Sequence, residues 1–262
     1  MTRGPTPDEI FDRAVAEGQR RLDQSLLELV STSFIAGFTV VFGLVALGIV
    51  EGVLGPAGHG VASLGGALAF GVGLVFLIAG RTELFNENFS GPTAAAVDSG
   101  DPTAVWALLR LWVVTFLFNL VGGGLFSLVF VVEGALPPGT ADALAAVATE
   151  SAGRELPASF ARAIAGGTLV SLLSFLLVSV ESDGSRLSLA YLVGVLLALG
   201  PFEHVVVTAL HVLLGILFGA GVGATRFTVV MSVVTAGNLV GGLGLVTFAH
   251  VAQAAGARAS EE

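Results

Sequence analysis

The pentapeptide Asn119-Leu120-Val121-Gly122-Gly123 occurs a second time, without change, as Asn238-Leu239-Val240-Gly241-Gly242. Two further landmarks repeat in the same order, namely Ile35–Val41 with Ile164–Val170 and Glu83 with Glu203. In chain order, the offsets are 129 residues for Ile35, 120 for Glu83 and 119 for Asn119. One match in a Gly- and Val-rich sequence arises easily by chance, but three matches in order at nearly constant spacing indicate a duplicated chain.

The composition places this duplication in a membrane. The mean hydropathy is +0.91, 54% of the residues are hydrophobic and only 12% are charged, which a soluble protein could not tolerate on its surface. Apolar runs long enough to cross about 30 Å of hydrocarbon occur six times, at about 30–50, 62–79, 104–132, 162–180, 187–222 and 227–251. The chain is therefore predicted to be an integral membrane protein.

The second and fifth runs are interrupted by polar residues. The second run meets Arg81, Glu83 and Glu87, and the fifth is cut by residues 200–204, Gly-Pro-Phe-Glu-His. Each half then has three crossings, an odd number, so the second half enters the bilayer from the opposite side. The predicted fold is all-α, with six transmembrane helices in two inverted repeats (30–132 and 162–251) and broken second and fifth helices. Broken helices in inverted repeats are typical of transporters and channels, and the breaks should line the pathway.

The basic residues suggest an orientation in the cell membrane. Arg3, Arg13, Arg20 and Arg21 precede the first crossing, whereas the connection 51–61 contains no Arg. This favours cytoplasmic N- and C-termini and an extracellular connection at 133–155. The predicted organisation is a cytoplasmic amphipathic segment (1–29) that forms an interfacial helix, a six-helix domain (30–252) and a C-terminal tail (253–262).

Charge and motifs exclude other classes of protein. All eleven basic residues are Arg, against twenty acids and a net charge of −9, which argues against nucleic acid as a partner. There is no Cys, the four His residues lack metal-ligand spacing, and no Gly-x-Ser-x-Gly turn occurs. Neither an enzyme nor a bound cofactor or metal is therefore expected.

The two breaks and their flanking motifs resemble the formate/nitrite transporter family. The resemblance rests on Glu83–Asn88, on Phe202-Glu203-His204 and on the two Asn-Leu-Val-Gly-Gly motifs, and it covers about residues 10–252. It implies a homopentamer with an aquaporin-like fold, in which each protomer has a pore for small monovalent anions such as formate, nitrite or hydrosulfide. Protons are a candidate co-substrate.

The resemblance also implies the residues of the pore. His204 would be the pore histidine, facing the loop Leu84-Phe85-Asn86 from the other break. Asn86 stands where the family commonly has a Thr that can bond the histidine, and Ser171 where it has a pore-side Asn; both departures leave the substrate open. Hydrophobic slits above and below the histidine would involve Phe70, Leu74, Leu84, Phe85 and Leu197.

A buried histidine suits anion transport for physical reasons too. An anion that leaves water for a narrow apolar slit loses several kcal/mol of hydration. This cost falls if a nearby proton neutralises the anion or if an imidazolium attracts it. Glu203 is expected to accept hydrogen bonds from free N–H groups of the broken helix. Asn238 is expected to bridge backbone groups at a helix crossing, with a place facing the pore as the open alternative.

Two readings remain open from the sequence. Arg81 either lies at a helix end, where it extends to the membrane surface or pairs with Glu83 or Glu87, or it lines the pore. His211 is expected at a helix contact. The alternative function is an aquaporin-like channel for small neutral solutes, but neither break contains Asn-Pro-Ala.

Overall fold

The computed structural model describes residues 4–259, and the secondary structure in this range is helical throughout. Arg3 and residues 260–262 of the predicted tail lie outside the described residues. The helices are α1 (Pro7–Leu22), α2 (Leu26–Leu54), α3 (His59–Ala79), α4 (Gly91–Ser99), α5 (Pro102–Ser127), α6 (Thr140–Gly153), α7 (Leu156–Ser179), α8 (Asp183–Leu199), α9 (Val205–Leu217), α10 (Ala224–Leu239) and α11 (Phe248–Ala259). Short 3-10 turns cover Gly55–Ala57, Phe85–Asn88 and Leu128–Val131, and a π-helix, Val240–Thr247, joins α10 to α11.

Within residues 4–259, five helical runs are long and apolar enough to cross a membrane. They are Leu26–Ala57, His59–Ala79, Pro102–Val131, Leu156–Ser179 and Ala224–Gly256. The fifth predicted crossing, 187–222, is divided between α8 and α9, which have 17 and 13 residues. At about 1.5 Å per residue, neither piece alone covers about 30 Å of hydrocarbon. The predicted break at 200–204 is thus a gap between two short helices.

The second predicted crossing, 62–79, lies within α3, and helical structure is interrupted directly after it. Helix α3 ends at Ala79 and α4 begins at Gly91, with the 3-10 turn Phe85–Asn88 between them. Arg81 has a φ of 50°, the only positive φ at a non-glycine residue in the described part of the chain. Because side chains other than that of Gly rarely adopt this conformation, the backbone turns sharply as it leaves α3.

Helix α1 is packed into the protein. It begins with a capping box in which Thr6 and Glu9 bond each other's backbone N–H. Its apolar face is buried against α4. Gly18 allows this contact, since a Cβ there would lie 2.0 Å from the carbonyl oxygen of Gly91. The amphipathic segment is thus a helix whose apolar face packs against protein, and its position at the membrane interface stays a prediction.

The connection after α5 is also structured. Its helix α6 packs against α2 and α9. Leu144 is fully buried there, and a Cβ on Gly48 would lie 2.6 Å from the Cγ of Leu144. Helix α6 therefore closes one end of the bundle and ends next to the start of α7.

The hydrophobic core runs through both breaks. Phe70, Leu84 and Phe85 of the first half belong to the same buried cluster as Leu197 and Val205 of the second half. The irregular backbone of the two breaks consequently lies in the interior of the protein, where side chains must satisfy its N–H and C=O groups.

Candidate functional site at the two helix breaks

Asn119 satisfies the backbone of the first break. Its Oδ1 accepts a hydrogen bond from the N–H of Phe85 at 3.0 Å. Its Nδ2 donates to the carbonyl oxygens of Ser33 at 2.8 Å and Glu83 at 2.9 Å. One fully buried amide thus joins α5, α2 and the loop after α3.

Asn238 does the same at the second break. Its Oδ1 accepts from the N–H of Val205 at 2.9 Å, and its Nδ2 donates to the carbonyl oxygens of Ala163 and Glu203, both at 2.7 Å. The Oδ1 also accepts from the Nδ2 of Asn86 at 2.7 Å, which links the two breaks directly. Because its hydrogen-bonding capacity is used by protein groups, Asn238 acts first as a bridge between backbone segments.

The backbone around the two asparagines also matches. The N–H of Glu83 donates to the carbonyl of Thr32 at 3.4 Å, and the N–H of Glu203 to that of Arg162 at 3.0 Å. A Cβ on Gly37 would lie 2.1 Å from the carbonyl oxygen of Asn119. The corresponding distance from Gly167 to Asn238 is 2.3 Å. Each half therefore needs a glycine at the point where a neighbouring helix passes close to the backbone of its asparagine.

His204 lies at the start of α9 and is 1% exposed. Its Nδ1 accepts the N–H of Val207 at 3.4 Å and so caps the helix. In the neutral imidazole the proton must then be on Nε2. The Nε2 has no hydrogen-bond partner among the described residues. The ring therefore has one buried N–H donor whose hydrogen bond is not made within the described structure.

Two further buried polar groups of the predicted pore have unused capacity. Asn86 is fully buried and its Oδ1 has no partner in the described structure, while its amide nitrogen is turned towards Asn238. The Oγ of Ser171 likewise has no partner there, and a Cβ on Gly242 would lie 2.5 Å from it. Asn86 thus bonds Asn238 and leaves His204 free, unlike the pairing expected of a Thr at this position.

The residues predicted to form hydrophobic slits are all buried in one cluster, and none is more than 6% exposed. Phe85 stacks edge-on against Phe89 and Phe116, with ring centroids 5.0 and 5.1 Å apart. These aromatic contacts fix the ring of Phe85 beside Asn86. The cluster contains Phe70, Leu74, Leu84, Phe85 and Leu197.

The carboxylate of Glu203 is paired with arginines. It contacts the guanidinium of Arg154, and the Nε of Arg162 lies 3.5 Å away. The expected bonds from helix N–H groups to this carboxylate are absent in the described structure, because Asn238 binds the Glu203 carbonyl and Arg154 reaches the side chain from the end of α6. Arg226 holds the same end of α6 by donating to the carbonyls of Ala152 and Arg154.

Glu83 at the other break is paired with α1. Its carboxylate lies 3.3 Å from the Nη1 of Arg21 and 3.7 Å from the Nη2 of Arg20. Both arginines also bind Glu17, Arg20 at 2.7 Å and Arg21 at 3.1 Å. Burial alone would raise the pKa of Glu17, but the hydrogen bonds and charges of the two arginines outweigh it and lower this pKa to about 2. The ion pair of Glu17 thus contributes fully to the stability of α1 at pH values above the ordinary pKa of a carboxyl group. This contribution is lost as the pH falls towards 2.

The other charged residues near the breaks do not pair with Glu83 or Glu203 in the described structure. Arg81 is exposed just after the end of α3 and forms no ion pair within the described chain. Of the two alternatives for a helix end, the structure thus excludes pairing with Glu83 or Glu87. Arg110 donates to the carbonyls of Leu22 and Gln24 and ties α5 to the α1–α2 turn. His211 is buried on α9, as expected for a helix contact.

The sequence did not reveal which arginines pair with Glu83 and Glu203. Arg21 and Arg154 are distant from them in the chain, and neither lies in an apolar run. A signal was available, since a carboxylate inside an apolar segment requires a cation nearby. It indicates that a partner exists, but not which residue supplies it.

Comparison with known proteins agrees with this architecture. The profile of the Formate/nitrite transporter family matches residues 8–252. A probable formate transporter of Methanothermobacter thermautotrophicus is 27% identical over 234 residues, covering 82% of this chain and 84% of that protein. The inner membrane protein YfdC of Escherichia coli (strain K12) is 25% identical over 217 residues, covering 79% and 67%.

Two solved structures have the same fold. One, described as an FNT family ion channel, superposes with a TM-score of 0.81 at 19% identity, covering 93% of this chain and 98% of that one. The other is a pentameric formate channel with formate bound, with a TM-score of 0.70 at 20% identity and coverage of 84% and 94%. With a family match over nearly its whole length, the chain belongs to the formate/nitrite transporter family.

Proposed function

We propose that this protein passes small monovalent anions, such as formate or nitrite, along a pathway inside each protomer that runs between the two breaks. The observation that carries the proposal is the Nε2 of His204, a buried donor without a partner in the described part of the chain. The family to which the chain belongs is one of transporters and not of enzymes. A relative is named a probable formate transporter, which suggests the class of substrate.

The proposed pathway has an apolar and a polar part. The buried cluster that includes Phe70, Leu74 and Leu197 excludes water, so an anion there would lose hydration worth several kcal/mol, about the cost of an unpaired buried charge. The N–H of His204 supplies a hydrogen bond where that loss is greatest, and a proton passed to a weak-acid anion would remove its charge. Asn86 and Ser171 add polar groups that suit a small solute.

Glu203 and Asn238 hold the backbone around His204 in place without contacting the solute. Asn238 fixes the backbone on both sides of His204 and orients Asn86. Glu203 pairs with Arg154 and Arg162, and these ion pairs hold the second break in place beside His204. In this proposal Glu203 and Asn238 act by positioning, while His204 and Asn86 contact the solute.

The proposed topology is an inverted repeat. Residues 30–132 and 162–251 would be related by a two-fold axis in the membrane plane, with the broken α3–α4 and α8–α9 segments as equivalent second and fifth crossings. The matched hydrogen bonds of Asn119 and Asn238 support this relation. The termini would be cytoplasmic in the cell membrane, since Arg13, Arg20 and Arg21 precede the first crossing.

The proposed assembly is a homopentamer. Helix α5 exposes a row of large apolar side chains, with Trp106 74% and Val113 56% exposed. In a membrane such a face is covered by lipid or by neighbouring helices. A solved structure with the same fold is described as a pentameric formate channel, which supports five protomers here.

Flux through liposomes tests the proposed function. We expect vesicles containing the purified protein to pass formate or nitrite well above empty vesicles. They should exclude glycerol, because it has three hydroxyl groups to strip of water in the apolar part of the pathway and no charge that a proton can neutralise. The panel should include hydrosulfide, chloride and acetate at two pH values, with native mass spectrometry of the same preparation to check for five protomers. Glycerol flux without anion flux would contradict the proposal and favour a channel for neutral solutes.

A further inference from the structure

Glu87 is a buried carboxyl group that the pathway described above does not use. It lies in the 3-10 turn Phe85–Asn88, directly after Asn86, and is 2% exposed. Its Oε1 has no hydrogen-bond partner among the described residues. Burying a carboxylate in this way is costly unless a cation pairs with it or a proton neutralises it.

The nearby guanidinium groups are already engaged. Arg21 lies 3.1 Å from Glu17 and 3.3 Å from Glu83, and its Nη1 also donates to the Oδ1 of Asn88 at 2.8 Å. Arg20 is 2.7 Å from Glu17 and 3.7 Å from Glu83. In the described structure no ion pair within 4 Å reaches Glu87, so this cluster has three carboxyl groups for two guanidiniums.

A small cavity with both polar and apolar lining residues lies beside Glu87. Its volume is about 20 Å³, which is enough for one water molecule. Glu17, Arg21, Ser90 and Ser174 line it together with Glu87. The same Glu17 also lines an open groove of about 520 Å³ on the α1 side of the protein. Glu87 is thus separated from the protein surface by little more than one water-sized step.

The other elements around this cavity bring no further ionised group to it. Helix α7 contributes Ser174, Phe175 and Val178, and α4 contributes Gly91 and Pro92. His250 of α11 stacks on the far side of Phe175, with ring centroids 3.7 Å apart. The charged groups that face Glu87 are therefore Glu17, Arg20, Arg21 and Glu83.

The second break has no counterpart to Glu87. The offset of 120 residues that relates Glu83 to Glu203 places Val207 at this position. The second break has the imidazole of His204, whose Nε2 has no partner in the described structure. The first break has instead the carboxyl group of Glu87. The duplicated halves therefore differ in their capacity to hold a proton.

We propose that Glu87 holds a proton in the resting protein and relays protons between the α1 surface and the anion pathway. The inference rests on the proposed function. The protonated Glu87 carboxyl breaks its O–H bond and gives the proton to an anion, A⁻, which leaves as neutral HA. The resulting carboxylate is stabilised by the charge of Arg21 and regains a proton from the α1 surface through water in the cavity. The cycle moves one proton with one anion and consumes nothing else.

Replacing Glu87 with Gln tests the relay, because Gln has the same shape but cannot exchange a proton. In liposomes we expect Glu87→Gln to lower proton movement coupled to formate, followed with an internal pH dye, at least about tenfold, in keeping with the loss of a positioned proton donor. Formate uptake driven by a pH gradient should fall by the same factor, because each anion moves together with one proton. Glu28→Gln, at an exposed carboxyl in the first turn of α2, is the matched control and should change neither.

Infrared spectroscopy tests the proton on Glu87 without any transport. We expect wild-type and Glu28→Gln protein at neutral pH to have the C=O stretching band of a protonated carboxyl group, and Glu87→Gln to lack it. If Glu87→Gln does not assemble, Glu87→Asp should shift the band instead. An unchanged band in the Glu87 variant, or undiminished proton movement, overturns the inference. Wild-type vesicles that pass no small anion contradict the proposed function, and the infrared band then decides separately whether Glu87 holds a proton.

Discussion

Replacing His204 with Phe is expected to abolish pH-dependent anion flux while leaving the oligomer intact. The phenyl ring fills a similar space but has neither the N–H that Nε2 offers to the solute nor a proton to exchange. Losing one positioned proton donor should lower flux about 100-fold or more. The lost cap on α9, where Nδ1 accepts the N–H of Val207, costs only about 1 kcal/mol. Stopped-flow uptake of formate and nitrite by liposomes at several pH values measures the effect.

The matched variant for this experiment is Asn86→Thr, which restores the residue common in the family. Asn86 is linked to Asn238 by one side-chain hydrogen bond, so the change should be tolerated and should alter selectivity or pH response at most. If His204→Phe protein conducts formate and nitrite with unchanged pH dependence, the histidine only caps α9. The proposed role of His204 would then be wrong even though the fold is right.

Replacing Asn238 with Leu should prevent the protein from assembling. The side chains are similar in size, but Leu leaves the N–H of Val205, the amide of Asn86 and the carbonyls of Ala163 and Glu203 without their partner. Each unsatisfied buried group costs about 1–3 kcal/mol, so the free energy of unfolding should fall by at least about 4 kcal/mol. The yield of folded protein after detergent extraction and the melting temperature of the complex measure this loss.

Two further substitutions calibrate the result. Asn119→Leu removes three such bonds and should be less damaging than Asn238→Leu. Gln253→Leu removes an exposed amide on α11 and should have little effect. A stable Asn238→Leu protein with native yield would show that the backbone of the second break is satisfied in another way.

Much of the architecture could be predicted from the sequence because its cause is local. Gly200 and Pro201 cannot continue α8, and the polar residues around Glu83 interrupt an apolar run. Both breaks therefore occur where they were expected. The family match over residues 8–252 likewise confirms the resemblance seen in the motifs of the breaks.

The contacts at the breaks could not be predicted, because they join distant parts of the chain. Asn86 and Asn238 are 152 residues apart, and only the folded chain brings one amide against the other. The pairing of Glu203 with Arg154 depends on where α6 ends, which hydropathy does not specify. The burial of α1 depends on a glycine contact with α4 that an amphipathic pattern alone cannot distinguish from binding at the membrane surface.

For the predicted slit residues, the structure tests burial but not function. Their apolar character suits the protein interior as well as lipid, and all five are buried in one cluster. Whether they line a pathway depends on their relation to the solute, so this role stays a prediction. The same holds for Ser171, whose unused hydroxyl is compatible with contact to a solute.

The most direct test of the central claim is the structure of the wild-type protein with nitrite or formate bound. We expect one anion in each protomer, with an oxygen within about 3.2 Å of the Nε2 of His204. The same density should be absent from the His204→Phe protein prepared in the same way. Anion density confined to the space between protomers, with Nε2 unoccupied in a preparation that transports the anion, would contradict the claim.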